Sequence, residues 1–147
     1  MTVEEFIQIL DRKDYSYEIE GDKIVITNKG IVRLNLLESI PPDTKFNNAG
    51  CVYLDKLVDL PNGIEFNNDG DVYLSKLETI SSGVEFNNEL DVFLDSLEAI
   101  PPGVKFNNRG YVSCYSLLDY TDLWEGNIEG IKPNSLLNLM INNRMFI

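Results

Sequence analysis

Apolar residues recur in this chain at fixed positions within a frame of 20, and polar residues fill the positions between them. The frame runs four times without a gap: IVRLNLLESIPPDTKFNNAG at 31–50, CVYLDKLVDLPNGIEFNNDG at 51–70, DVYLSKLETISSGVEFNNEL at 71–90 and DVFLDSLEAIPPGVKFNNRG at 91–110. Two segments of each repeat alternate with period two, which marks half-buried strands. The first pairs Val32 with Leu34, Val52 with Leu54, Val72 with Leu74 and Val92 with Leu94. The second pairs Thr44 with Phe46, Ile64 with Phe66, Val84 with Phe86 and Val104 with Phe106. Leu37, Leu57, Leu77 and Leu97 form another inward column, as do Ile40, Leu60, Ile80 and Ile100. A single coil cannot bury such a face alone, but coils stacked column on column make a continuous core. The pattern predicts a mainly β chain, folded as one right-handed parallel β-solenoid.

The polar positions between the columns predict the turns. Pro41-Pro42, Pro61-Asn62, Ser81-Ser82 and Pro101-Pro102 break the chain at one place in every repeat. Gly63, Gly83 and Gly103 follow, where a positive φ is expected, and Asp43 takes that place in the first repeat. Gly50, Gly70 and Gly110 close the second corner, with Leu90 the exception. Asn-Asn pairs recur at 47–48, 67–68, 87–88 and 107–108. One Asn of each pair is expected to turn inward and satisfy backbone groups of adjacent coils. The other is expected to hold the turn through an Asx interaction or left-handed geometry.

Residues 1–30 read as an N-terminal cap that runs into a first half-coil. Thr2-Val3-Glu4-Glu5 fits a capping box, and Phe6, Ile7 and Leu10 share one helical face. Tyr15–Glu20 and Lys23–Asn28 alternate as strands, and Ile24, Ile26, Asn28 and Gly30 fall in register with the repeat columns. The repeats proper span 31–114, ending in a decayed strand at Tyr111–Cys114. Residues 115–147 read as an irregular, partly helical C-terminal cap. Trp124, Gly126, Gly130 and Pro133 mark an irregular crossing. Asn134 or Ser135 is positioned to start a short helix through Leu136–Ile141, with Leu136, Leu137, Met140 and Phe146 closing the core. The whole of 1–147 is expected to be one solenoid domain.

The repeat form V-x-L-x-x-L-x-x-I-P-x-G-V-x-F-N-N-x-G resembles that of bacterial and phage proteins with short leucine-rich-like solenoid repeats. The resemblance covers residues 24–114, and the opening MTVEEF…IVITNKG is similar to that family's N-terminus. It implies a leucine-rich-repeat-like binding solenoid. Residues 115–147 depart from it.

Charge and reactive side chains narrow the function. Acidic residues number 24 against 12 basic, a net charge of −12, and the excess is spread along the chain. Such a surface repels nucleic acid and anionic membranes and steers a basic partner inward. The N-terminus is too polar for a secretory signal, and no apolar run approaches the ~20 residues of a membrane helix. Cys114 falls in an inward column and Cys51 in an outward one, so no disulfide is expected and the reading is a reducing cytoplasm. No histidine is present, which removes imidazole-based nucleophile pairs and metal sites. No phosphate-binding glycine loop is present either. Asp71 and Asp91 occupy equivalent positions one coil apart, roughly 4.8 Å in stacked strands, near the spacing of retaining glycosidase carboxylates. Any repeated surface Asp gives the same spacing, so the chain is expected to be no enzyme and to hold no cofactor or metal.

The outward column between the inward Val and Leu reads Arg33, Tyr53, Tyr73, Phe93, Ser113. Asp71 and Asp91 border it on one side, and Asp55, Ser75 and Asp95 on the other. Aromatics bordered by carboxylates suit a basic, partly apolar partner; the same ladder also stabilises a parallel sheet without any partner. The leading expectation is a protein-binding solenoid that docks through Tyr53, Tyr73 and Phe93, with Asp55, Asp71, Asp91 and Asp95 as its charged rim. In its sharper form the chain is an acidic, phage-type inhibitor that occupies the basic nucleic-acid-binding surface of a host defence enzyme. The alternatives are a carbohydrate-binding or carbohydrate-active solenoid and a structural or assembly protein.

Overall fold

The structure is a computed structural model that describes residues 1–118 of the 147. Thr2 caps helix α1 (Val3–Arg12): its hydroxyl accepts the Glu5 N–H at 3.1 Å, and its own N–H donates to Glu5 Oε2 at 2.9 Å. The helix buries Phe6 and Leu10 in the same apolar cluster as the coils. A hairpin of β1 (Tyr17–Glu20) and β2 (Lys23–Ile26) follows, and β2 begins the stack.

From there the chain winds through short parallel strands. One sheet joins β1 and β2 to β4 (Lys45–Phe46), β7 (Glu65–Phe66), β10 (Glu85–Phe86) and β12 (Lys105–Phe106). A second joins β3 (Val32–Arg33), β5 (Val52–Tyr53), β8 (Val72–Tyr73), β11 (Val92–Phe93) and β13 (Val112–Ser113). A third, not legible as a strand pattern, pairs β6 (Asp59–Leu60) with β9 (Thr79–Ile80). Pairing between coils is in register at a step of 20, so Ile26 faces Phe46, Phe46 faces Phe66, and Val52 faces Val72. The expected parallel β-solenoid is therefore the observed fold.

That register turns each inward position into a column. Phe46, Phe66, Phe86 and Phe106 are fully buried, and their rings stack at 5.0, 5.1 and 5.0 Å between centroids. Stacked pairs of this kind add about 0.5–1.5 kcal/mol beyond area burial. Thr44 replaces the usual Ile or Val of its column and stays buried because its hydroxyl donates to the Pro41 carbonyl at 2.8 Å.

The second Asn of each pair is the inward one. Asn68 Nδ2 donates to the carbonyls of Gly50, Gly70 and Asp71 at 3.0, 3.2 and 3.2 Å, and Asn48, Asn88 and Asn108 repeat the arrangement. The first Asn departs from the expected left-handed turn. Asn67 Nδ2 donates to Asn47 Oδ1, Asn87 to Asn67 and Asn107 to Asn87, each at 2.9 Å, giving an outer amide ladder along the stack. Positive φ is found at Asp43, Gly63 and Gly103 but not at Gly83. Gly70 serves close approach instead: a Cβ there would lie 2.7 Å from Cys51 N and 2.8 Å from the Gly50 carbonyl carbon.

The repeat pattern continues beyond Cys114 at Leu117. Leu117 is buried in the column of Leu57, Leu77 and Leu97, and its N–H donates to the Cys114 carbonyl as Leu97 does to Leu94. The features expected from Trp124 to Phe146, including the helix over 136–141, lie outside the described residues.

Candidate functional site

The outward ladder follows from the inward residues on either side of it. Val52 and Leu54 point into the core, so Tyr53 points out, and the same holds for Tyr73 and Phe93. In-register pairing then lays ring on ring. Tyr53 and Tyr73 stack at 4.5 Å with 4° between planes, and Tyr73 and Phe93 at 4.8 Å with 6°. Arg33 closes the lower end, its guanidinium carbon 5.0 Å from the centre of the Tyr53 ring. The Arg33 backbone N–H is held by the Tyr15 hydroxyl at 3.0 Å, so the cap positions the first rung.

All three rings are half-buried. Their faces are spent on one another and on Arg33, so the ladder offers ring edges along most of its length. Among the described residues no ring or cation stacks on the upper face of Phe93. The rung above it is Ser113, whose hydroxyl is drawn aside to Asp95 Oδ1 at 2.7 Å.

The four rim carboxylates are built into the stack, a role their sequence positions do not reveal. Asp71 Oδ1 accepts the Asp91 N–H at 2.9 Å, and Asp91 Oδ1 accepts the Tyr111 N–H at 2.8 Å. Asp71 Oδ2 also accepts the Tyr73 hydroxyl at 3.1 Å. Burial first, and then this bond to a carboxylate, push the Tyr73 phenol well above its usual range. On the other border Asp55 accepts the Ser75 hydroxyl at 3.0 Å, as Asp95 accepts Ser113. Each acid thus ties two coils together and leaves its charge at the surface beside the rings.

Asp71 and Asp91 do lie one coil apart, as the period requires. Both are oriented by backbone N–H groups of the next coil. Among the described residues no group of three carboxylates or thiols converges where a metal ion could sit. Cys51 is half-exposed beside Asp71, Cys114 is buried, and no disulfide joins them. Burial, with Asp95 nearby, raises the Cys114 thiol far above its ordinary value. Among the described residues no helix is long and apolar enough to cross a membrane.

The opposite face is chemically different. Lys45 pairs with Glu65 at 3.3 Å, Lys105 with Glu85 at 3.6 Å and Arg109 with Glu89 at 3.3 Å, so three of its cations are paired with acids of the neighbouring coil. The aromatic face has only Arg33 as a cation in its three outward columns, and that side chain is already stacked. Sequence reasoning missed two residues of this face, Tyr111 and Tyr115, which are 51% and 50% exposed on either side of Ser113. They sit in the columns of Asp91 and Asp95, and reading those columns one coil further would have found them. No protein-family model, curated protein or solved structure matches the chain.

Proposed function

We propose that the chain is a non-enzymatic protein-binding solenoid, of the leucine-rich-like kind that its repeat resembles, and that it binds a basic protein through the aromatic face. One observation carries this reading: a row of half-buried rings, fixed by stacking, runs between two rows of carboxylates that the stack itself holds in place. Rigid aromatics with a charged border lose little entropy on docking, and such residues dominate binding energy when desolvated. Occlusion of the ring faces favours this over sugar binding, which would use those faces. A net charge of −12 gives the partner its sign. In the sharper form, the partner is an enzyme with a basic groove for nucleic acid, and the chain inhibits it by occupying that groove.

The test is capture of partners from host extract by the wild type beside a Tyr53→Ala/Tyr73→Ala/Phe93→Ala variant. The expected result is a basic protein retained by the wild type, released as salt rises and absent from the variant. Equal capture by a folded variant would refute the assignment of the face.

A further inference from the structure

The top of the aromatic ladder inverts the pattern of the coil beneath it. Outward positions of one coil read Asp91, Phe93, Asp95, and those of the next read Tyr111, Ser113, Tyr115. Alternation through this segment is clear, since Val112 and Cys114 are buried while Tyr111 and Tyr115 are half exposed. The two tyrosines therefore stand on either side of Ser113, Tyr111 leading into β13 and Tyr115 in the turn that follows it. Between them stands only the small Ser113, a gap in the row of rings. The floor of the gap is the upper face of Phe93, on which no ring or cation stacks among the described residues. Asp91 and Asp95 lie at its lower corners. Each uses Oδ1 to hold the upper coil, and Oδ2 makes no hydrogen bond among the described residues.

We infer that this gap, floored by Phe93, walled by Tyr111 and Tyr115 and cornered by Asp91 and Asp95, is a socket for an arginine side chain of the partner. The lower end of the same ladder shows the geometry in place, with the Arg33 guanidinium on the outer face of Tyr53. A planar guanidinium stacks on a ring face while its N–H groups, which lie in its own plane, reach carboxylates turned up beside the ring, as Asp91 and Asp95 are. The two ladder ends differ in one respect. The lower carries its own cation, and the upper carries the anions and the walls for a foreign one.

The inference rests on the proposed binding face, and the experiment separates the two. N-acetyl-arginine methylamide is titrated into the protein while the aromatic resonances are followed by NMR. The expected result is saturable shifts at Phe93, Tyr111 and Tyr115, with little change at Tyr53. The key variant is Ser113→Tyr, which sets a fourth ring on Phe93 and fills the gap without removing any wall. It exchanges the Ser113–Asp95 hydrogen bond for one more stacked ring, so it is expected to melt close to the wild type, and to lose the shifts. A hexa-arginine peptide is then expected to bind the variant at least about tenfold more weakly than the wild type. Equal peptide affinity with shifts along Tyr53 and Tyr73 would overturn the socket and leave the binding face standing. Absence of any shift on this face, from either probe, would overturn both.

Discussion

Asn68 shows how much one side chain carries here. Its amide donates to three carbonyls from two adjacent coils, and the side chain itself is fully buried. Asn68→Ala leaves buried acceptors unpaired and is expected to cost about 1–3 kcal/mol. Asn67→Ala interrupts only the exposed amide ladder, and its cost is expected within about 0.5 kcal/mol of zero; chemical denaturation of both variants checks the contrast, and equal losses would reverse the assignment. The Asn-Asn repeat made the inward member legible, because Asn68 stands two residues from the inward Phe66, but not the outer amide ladder that Asn47, Asn67, Asn87 and Asn107 form. The rim acids were legible as acids and not as links, since the sequence does not say whether a carboxylate oxygen turns along the stack or out to water. Two raised groups set a pH dependence. Unfolded Cys114 and Tyr73 lose protons near 9.0 and 10.0, whereas the folded forms hold theirs to higher pH. Stability from these groups is thus complete below about pH 9 and falls as pH rises beyond it. Tyr73→Phe is expected to flatten the part of the fall above pH 10, and a melting profile identical to the wild type would show that its phenol is not held. Burial also predicts that a thiol reagent labels Cys51 in the native protein and Cys114 only after unfolding.

Strands of two residues have almost no stability of their own, so the elements here exist through their columns. Phe66→Ala removes a ring stacked on both faces, at 5.0 and 5.1 Å. It is expected to cost about 3–5 kcal/mol, and the loss should appear as a single transition of the whole array. A melt that moves by under a few degrees would contradict the packing. The elements legible in sequence were those with a repeated apolar signature, Val-x-Leu and apolar-x-Phe. The pair β6 and β9 was not, because each offers one polar and one apolar residue, too short a segment for alternation to show. The ladder Tyr53–Tyr73–Phe93 was legible from period and parity alone. What parity could not supply was the state of the ring faces, which depends on spacing between coils and on Arg33 lying over Tyr53.

At the scale of the molecule, the same charge acts in two directions. A net charge of −12 repels itself within a compact fold, and the exposed ion pairs on the opposite face offset little of that. Raising ionic strength from about 0.01 M to 0.15 M shortens the screening length from about 30 to 8 Å. The melting temperature is expected to rise over that range while affinity for a basic partner falls. Opposite slopes in the two measurements are the signature; parallel slopes would place binding elsewhere than on the acidic face. The uniform step of 20 has one more consequence. Contacts between coils connect equivalent positions, so a coil is an interchangeable part. Excising 71–90 would bring Tyr53 under Phe93, Phe66 under Phe106 and Glu65 beside Lys105, each a pairing of a kind the molecule already uses. Lineages of such a chain can therefore lengthen or shorten in whole coils while keeping the core contacts; at the rim this excision would set Asp55 under Asp95, in place of the Ser75 that now donates to Asp55. Each gain or loss moves the two ladder ends apart or together by about 4.8 Å. The number of coils then works as a gauge, matched to the spacing of cationic groups on whatever surface the chain meets.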